Sequence, residues 1–316
     1  MRTRFPLITA LIFVLARAAA LAQTPAPFTL HDLGHGAWAA IDNPAAKAAQ
    51  SGANAGFVIS SHGVAVIDTF ENVAAAQTLL GAIRKKTNLP IRFVVNTHYH
   101  IDHVAGNNIF AAAGATILAQ ENVRTWERTE NLKFFGPKIT AQQKEEVRSL
   151  GLPSITYKHG VDLYLGARRL IVRSLPGHTG GDSIIYDPAS DVVFCGDLFW
   201  NHTLPNLIDA STKPWITTLD TLLADYPTAT FVPGHGNEIG HAADVRDFRG
   251  YLVDLRSAIR KAQAEGKSGA ALVDAVLPQL QQKYGSWNFF GFAKSDITYT
   301  DEELRGKKRI PEPAAQ

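Results

Sequence analysis

"NTHYHIDH", residues 96–103, places three histidines and an aspartate within six positions of a chain that has eleven histidines in 316 residues. It follows "IRFVV" (91–95), an apolar β-branched run that reads as a buried strand. If the chain leaves that strand extended, His98 and His100 point the same way, and Tyr99 points the other way, into packing. A turn into a helix then sets Asp102 and His103 in its first turn. Four metal-competent side chains converge from a strand end and a helix start, and imidazole with carboxylate suits zinc and similar borderline ions. A lone histidine is ordinarily a surface or hydrogen-bonded core residue. His-x-His-x-Asp-His is a motif with a mechanism.

Working outward, "NAGFVIS" (54–60) and "VAVIDTF" (64–70) are strand-like runs joined by "SHG", a hairpin signal. "NVAAAQTLLGAIRKK" (72–86) has helical spacing with cations at its C-terminal end. "DHVAGNNIFAAAG" (102–114) reads as helix with a glycine stop and "ATILAQ" (115–120) as strand. Residues 120–150 read as polar and helical, broken by "FFGP". In the second half, "RRLIVRSLPG" (168–177) and "DSIIYDPASDVVFCGD" (182–197) give three strands, with "DPAS" a turn. "PWITTLDTLLADY" (214–226) is an amphipathic helix, and "ATFVPGHG" (229–236) is strand then glycine-rich loop. Residues 241–263 and 268–283 read as helices, and "GKKRIPEPAAQ" (306–316) as a loose tail. Two β-rich halves, each with helices, predict sheets packed face to face with helices outside.

The start of the chain carries a different signal. "MRTR", then the apolar "FPLITALIFVLA" (5–16), then the small-x-small "ALA" (20–22) read as a secretory peptide cleaved after Ala22. The expectation is a periplasmic or secreted protein without stable membrane insertion. The fold domain is then expected over 23–263, with a helical extension and loose tail over 264–316. Removing Arg2, Arg4 and Arg17 from the 31 basic residues leaves 28 against 29 acidic ones. A near-neutral mature chain has no basic field to draw nucleic acid, and the partner expected is a small-molecule substrate. The single cysteine, Cys195, excludes an intramolecular disulfide and reads as a small buried hydrophobe in "VVFCG". With 46% hydrophobic and 19% charged residues, a sizeable core can form and wholesale disorder is excluded.

Three more candidates stand in glycine-bearing stretches at strand ends: His178 in "LPGHTGGD", Asp197 in "FCGDLF" and His235 in "FVPGHG". Asp68, closing "VAVIDT", is placed to orient a ligand histidine from behind or to cap its strand. His202 follows the Asp197 stretch toward a pocket. Trp200, Phe134 and Phe135 are candidate apolar walls or core residues, and "FFGP" with "WNFFGF" (287–292) are candidate covers for the same mouth. His31, His35, His62, His159 and His241 read as surface residues.

His98-x-His100-x-Asp102-His103, Gly177-His178-Thr179, Gly196-Asp197 and Gly234-His235-Gly236 together resemble the metallo-β-lactamase superfamily, over about residues 28–263. The resemblance implies an α/β fold, an αββα sandwich of two mixed β-sheets with helices on the outer faces and a metal pair at one edge. It implies that His98, His100 and His178 hold one metal, that Asp102, His103 and His235 hold the other, and that Asp197 bridges them. Two zinc ions are expected, with iron or manganese as alternatives. Water between two such ions is acidified toward neutral pH, so the expected activity is attack on an acyl-type bond: ester, lactone, thioester or β-lactam. Asp102 is the expected proton-handling residue. Lactamases of this superfamily that use one zinc-binding cysteine carry it where this chain has Asp197, and often place a lysine three residues on, where Trp200 stands. That departure counts against lactamase activity, although export suits one. An iron-dependent oxidoreductase and a metal-binding protein without turnover are the other readings. The flavin-linked di-iron type would need a domain for which no length remains.

Overall fold

The structure is a computed structural model that describes residues 25–311. The cleavage signal expected over residues 1–22 lies outside the described residues, as do residues 312–316. One sheet runs in chain order through seven strands: β1 (Phe28–Asp32), β2 (Ala37–Asp42), β3 (Ala55–Ser60), β4 (Gly63–Ile67), β5 (Ile91–Val95), β6 (Thr116–Gln120) and β7 (Ile155–Tyr157). Pairing is antiparallel up to β4 and parallel from β4 to β7. The second sheet contains β8 (Gly160–Leu165), β9 (Arg168–Ser174), β10 (Ser183–Asp187), β11 (Val192–Trp200) and β12 (Thr230–His235), in the order β12-β11-β10-β9-β8. Only its β11–β12 pair is parallel, so both sheets are mixed.

The helices are α1 (Val73–Lys86), α2 (Ile101–Val104), α3 (Asn107–Ala112), α4 (Glu121–Trp126), α5 (Ala141–Arg148), α6 (Thr212–Asp225), α7 (Ala242–Ala264), α8 (Gly269–Tyr284) and α9 (Ala293–Leu304). α1 begins where Asn72 Oδ1 accepts from Ala75 N (2.9 Å) and ends on Arg84, Lys85 and Lys86, which complement its dipole. Its face of Ala75, Ala76, Leu79 and Ile83 packs under the first sheet with Phe57, Val66 and Phe110. A second cluster lies between the sheets, where Val58, Ile67 and Leu118 meet Leu170, Ile185 and Phe194. A third packs α6 and α7 over the outer face of the second sheet, through Trp215, Leu219, Phe248 and Leu252, and extends into α8 and α9. The layers are therefore helix, sheet, sheet, helix. β11 is buried along its whole length because it is covered on both faces.

Several expectations change. The helix expected over 102–114 is two short helices, divided at Ala105–Gly106. β1, β2, β7, β8 and α9 carry no distinct signal in the sequence; β7 is only 3 residues long and mostly exposed. The tail is tied down as far as it is described. Lys308 Nζ donates to the carbonyls of Leu207 and Ala210, and Arg309 stands 3.3 Å from Glu130. No helix among the described residues is long and apolar enough to cross a membrane.

Candidate metal centre

β5 stops at Val95, and the chain bends at Thr97–His98 before α2 begins. The bend still brings the His98 and His100 rings together, with centroids 4.7 Å apart, while Tyr99 is buried on the other side against Trp126. His178 comes from the β9–β10 connection and His235 from the end of β12. Asp197 lies inside β11, where the register with β12 slips twice, and not in a loop as expected. That slip aims its carboxylate at the histidines. Two glycines make room for it. At Gly234 a Cβ would stand 2.0 Å from Asp197 Oδ1, and at Gly196 (φ +49°) one would meet Thr97 Oγ1 at 2.2 Å.

The seven residues form two groups: His98, His100, His178 and Asp197, and Asp102, His103 and His235. Asp197 faces both. Its Oδ2 is 3.1 Å from His178 Nε2 and 3.7 Å from His98 Nε2. Its Oδ1 is 3.0 Å from His103 Nε2 and 3.4 Å from His235 Nε2. Asp102 Oδ2 lies 3.1 Å from His235 Nε2 and 3.6 Å from His103 Nε2.

Hydrogen bonds behind the rings decide which nitrogens face inward. Asp68 Oδ2 is 2.8 Å from His103 Nδ1, which therefore carries the proton and leaves the Nε2 lone pair inward. Asp68 itself accepts from Thr97 N (2.8 Å) and Thr97 Oγ1 (2.7 Å), and it sits at φ +58°. The Thr97 hydroxyl has given its one proton to Asp68, so at 3.1 Å it can only accept from His98 Nδ1, and His98 Nε2 also faces inward unprotonated. His100 is reversed: its Nε2 bonds Asp209 Oδ2 (3.0 Å), leaving Nδ1 beside His178 Nε2 (2.9 Å). His98 Nε2, His103 Nε2 and Asp197 Oδ1 are buried and make no hydrogen bond. Three orphaned acceptors aimed at one another are unfavourable by themselves. A divalent cation held by each group would satisfy all three, so the chemistry of the donor set fits a pair of metals.

The protonation tendencies agree. Burial, reinforced by neighbouring imidazoles, holds His98 well below its ordinary value, and burial brings His178 to about 3, so both are neutral ligands. Burial opposes ionisation of Asp197, but His235, His103, His178 and His98 outweigh it and hold the carboxyl well below its ordinary value. Asp102 falls to about 2: burial opposes this, and His103 and His235 overcome it. Against burial, Asp197 and Asp102 raise His103 well above its ordinary value and His235 to about 9.

A cavity of about 250 Å³ opens onto the cluster. Phe134 lines it and meets the His100 ring edge-on at 4.9 Å. Trp200 lines it too, although it is buried; it stacks on His235 (4.0 Å) and donates from Nε1 to Asp197 O (3.0 Å). Two expected pocket residues stand elsewhere. Phe135 turns into the small core of Val104, Val147 and Leu150, and exposed His202 packs edge-on to Trp287 at 5.5 Å, outside this cavity. Adjacent side chains in a short helical turn diverge, which explains Phe135; a backbone φ of +43° turns His202 away. "WNFFGF" does reach the mouth, through Phe289 and Phe292. Cys195 is fully buried, and burial raises its thiol. His31 is half-buried, and His35, His62, His159 and His241 are exposed. Nothing along the chain points to Asp209, to Lys133 that pairs with it, or to Glu71 at the cavity rim, because all three are ordinary charges in unremarkable surroundings until the chain folds.

Comparison with known proteins follows the same lines. The family model described as the metallo-beta-lactamase superfamily matches residues 49–235. A linear primary-alkylsulfatase of a Pseudomonas species is 24% identical over an alignment of 221 residues that covers 58% of this chain and 42% of that protein. The chain thus spans less than half the length of that relative. Metallo-beta-lactamase IND-1 of Chryseobacterium indologenes is 24% identical over 203 residues, 61% of this chain and 77% of that one. Among solved structures, a metallo-beta-lactamase from Pontibacter korlensis superposes with a TM-score of 0.57 at 21% identity, covering 72% of this chain and 99% of that chain.

Proposed function

The chain belongs to the metallo-β-lactamase superfamily, and we propose that it is an exported, dinuclear zinc hydrolase that opens an acyl-type bond in an ester, lactone, thioester or β-lactam. The observation that carries this reading is the division of four imidazoles between the two oxygens of Asp197, His98 and His178 at Oδ2 and His103 and His235 at Oδ1. His98, His100 and His178 would hold one ion, and Asp102, His103 and His235 the other, with Asp197 shared. Imidazole-rich sites of this kind suit zinc. Bound zinc would supply polarisation of the acyl oxygen and acidify water for attack.

The chain's own groups do the rest. Both carboxylate donors line the cavity, and Asp102 is the more open to it, with 25% of its side chain exposed against 2% for Asp197. Through the carboxylate oxygen not turned toward His103 and His235 it can accept a proton from attacking water and pass it to the leaving group. Trp200, Phe134 and Phe289 exclude water around the acyl group and hold it by apolar contact. No Lys or Arg lines this cavity, so a β-lactam carboxylate finds no cationic grip there, and β-lactams rank below neutral esters and lactones.

A hydrolysis panel on the purified, zinc-loaded protein tests the reading, with esters, lactones, thioesters, penicillins, an alkyl sulfate and a phosphodiester. Turnover confined to the acyl compounds, with elemental analysis near two zinc per chain, is the expected outcome. Efficient cleavage of the sulfate or phosphodiester alone would sink it, as would full activity at one metal. Export is tested by N-terminal sequencing of the periplasmic protein. Gln23 is expected at the start, and recovery of intact Met1 would overturn it.

A further inference from the structure

Three cavities adjoin the metal cluster and share residues. The one over the cluster, about 250 Å³, meets a larger groove of about 340 Å³ at Glu71 and Ile101, and a polar one of about 180 Å³ at Gly52, His235 and Phe289. Their lining charges, apart from the donors themselves, are Glu71, Glu146 and Asp42; no Lys or Arg lines any of the three. Lys133 is nearby, but both oxygens of Asp209 (2.6 Å each) and Glu130 (3.3 Å) engage its ammonium. Asp42 is spent on the Ser51 and Gly52 backbone amides. Glu71 is different. It is exposed, lies over Gly52 at the rim, and its carboxylate forms no hydrogen bond or ion pair among the described residues.

The apolar wall has an origin of its own. Phe289 is 53% exposed and adopts φ +57°, a conformation unfavourable for a bulky residue. It is held there because Asn288 exchanges backbone hydrogen bonds with His202 and Leu204 (2.9 Å each). Its ring stands 6.4 Å from Trp200, 6.2 Å from His235 and 5.9 Å from Phe292. It therefore holds an aromatic ring edge-on beside the candidate donor His235, from a segment beyond the residues the family model matches.

We propose that this site selects uncharged or cationic acyl substrates that carry an aromatic or other apolar arm, with Phe289 as the contact for that arm and Glu71 as the residue that turns anions away. The inference rests on the hydrolase reading above and narrows its substrate class. Two divalent ions would bring four positive charges against the carboxylates of Asp102 and Asp197, and that excess alone would attract anions. Glu71 at the rim opposes it, and the charged residues lining the adjoining grooves have the same sign. A carboxylate on the substrate arm would meet repulsion with no lysine or arginine to pair with, whereas an ammonium or an aryl group meets carboxylate and aromatic faces.

The test uses three aryl acetates that differ in the charge of the para arm: 4-methylphenyl acetate, 4-(carboxymethyl)phenyl acetate and 4-(trimethylammoniomethyl)phenyl acetate, with each kcat/KM divided by that ester's own rate of alkaline hydrolysis to remove differences in leaving group. On zinc-loaded protein, kcat/KM for the neutral and cationic esters should exceed that for the carboxylate by about fivefold or more, the scale of one unscreened charge at a rim. Glu71→Gln should narrow the cation-to-carboxylate ratio about threefold, with the neutral ester moving less than either charged one. Phe289→Ala should lower all three and leave that ratio alone. Equal or better cleavage of the carboxylate ester, or a ratio that Glu71→Gln does not move, would overturn the proposal. Equilibrium binding of the three corresponding phenols to both proteins gives the same ranking without turnover. If no ester is cleaved but the phenols rank as stated, the hydrolase reading fails and the charge selection stands; a ranking led by 4-hydroxyphenylacetate removes the selection whatever the activity.

Discussion

His103 and His100 belong to opposite groups of donors, and their outer nitrogens are held in different ways. Behind His103 stands Asp68, at the end of a central strand, with 2% of its side chain exposed and fixed by a backbone amide and a hydroxyl of Thr97. Behind His100 stands Asp209, from the connection between β11 and α6, 109 residues along the chain. Asp209 is held by the Tyr99 hydroxyl and by Lys133, which is 21% exposed and sits in the short helical turn over 130–135. One partner is part of the sheet; the other is assembled from three separate segments, two of them connections. The first is rigid because strands on both sides fix it. The second can relax, because the cation that neutralises it reaches water.

Substitutions can break this contrast, beginning with the proton-handling group. Asp102→Ala should reduce turnover by about a hundredfold or more, the usual scale for a lost proton-handling group, while circular dichroism and thermal unfolding stay near wild type. Near-normal turnover with unchanged metal content would refute its role. Asp68→Asn should come next. It weakens the bond to His103 Nδ1 at a site with no room to adjust, and affinity for one of the two metals should fall by up to about a hundredfold, read by competition with a chelator. Asp209→Asn should weaken the other metal by about tenfold, at the low end of the same range, because Lys133 and Tyr99 can re-form bonds around it. If Asp209→Asn proves as severe as Asp68→Asn, the contrast between a sheet-built and a connection-built support is wrong.

The smallest effect sharpens the contrast through stability. Glu127 is buried beneath the 130–135 turn, and neither carboxylate oxygen makes a hydrogen bond. Asn131 links it to the site by donating to both Glu127 O (2.8 Å) and Tyr99 O (2.7 Å). Burial, opposed by Arg128 and Arg124, pushes the carboxyl up from 4.5 to about 8. The folded protein then keeps a proton that the unfolded chain releases, so stability falls as pH rises from about 4.5 to about 8. Glu127→Gln should be neutral at pH 4 and stabilising at pH 8 by on the order of 1–3 kcal/mol, as measured by urea unfolding at the two pH values. Equal effects at both would remove Glu127 as the weak point under the His100 side.

The sequence by itself determined the candidate donors and the layers. The seven donor residues are visible because their chemistry is rare and their spacing is local: four lie within six positions, and the other three stand beside glycines that the crowded centre requires. The strongly periodic segments, β3 to β6, α1, α6 and α7, were equally legible, since burial on one face or on both leaves a pattern in the chain. Asp68 was legible for a related reason, as it ends a strand that must lie beside β5. Only the tertiary structure decided the rest. Tautomers depend on what stands behind each ring, and Asp209 is too distant along the chain to be assigned to His100 beforehand. Phe134 and Phe135 are neighbours in sequence, yet one faces the cavity and the other the core, a choice made by packing around a single helical turn. Phe289 and Glu71 gain their meaning from a shared rim, although 218 positions separate them. Local pattern records which residues are buried or rare; it does not record which distant charges and rings are brought to face one another, because that is fixed by how the two sheets and their connections pack.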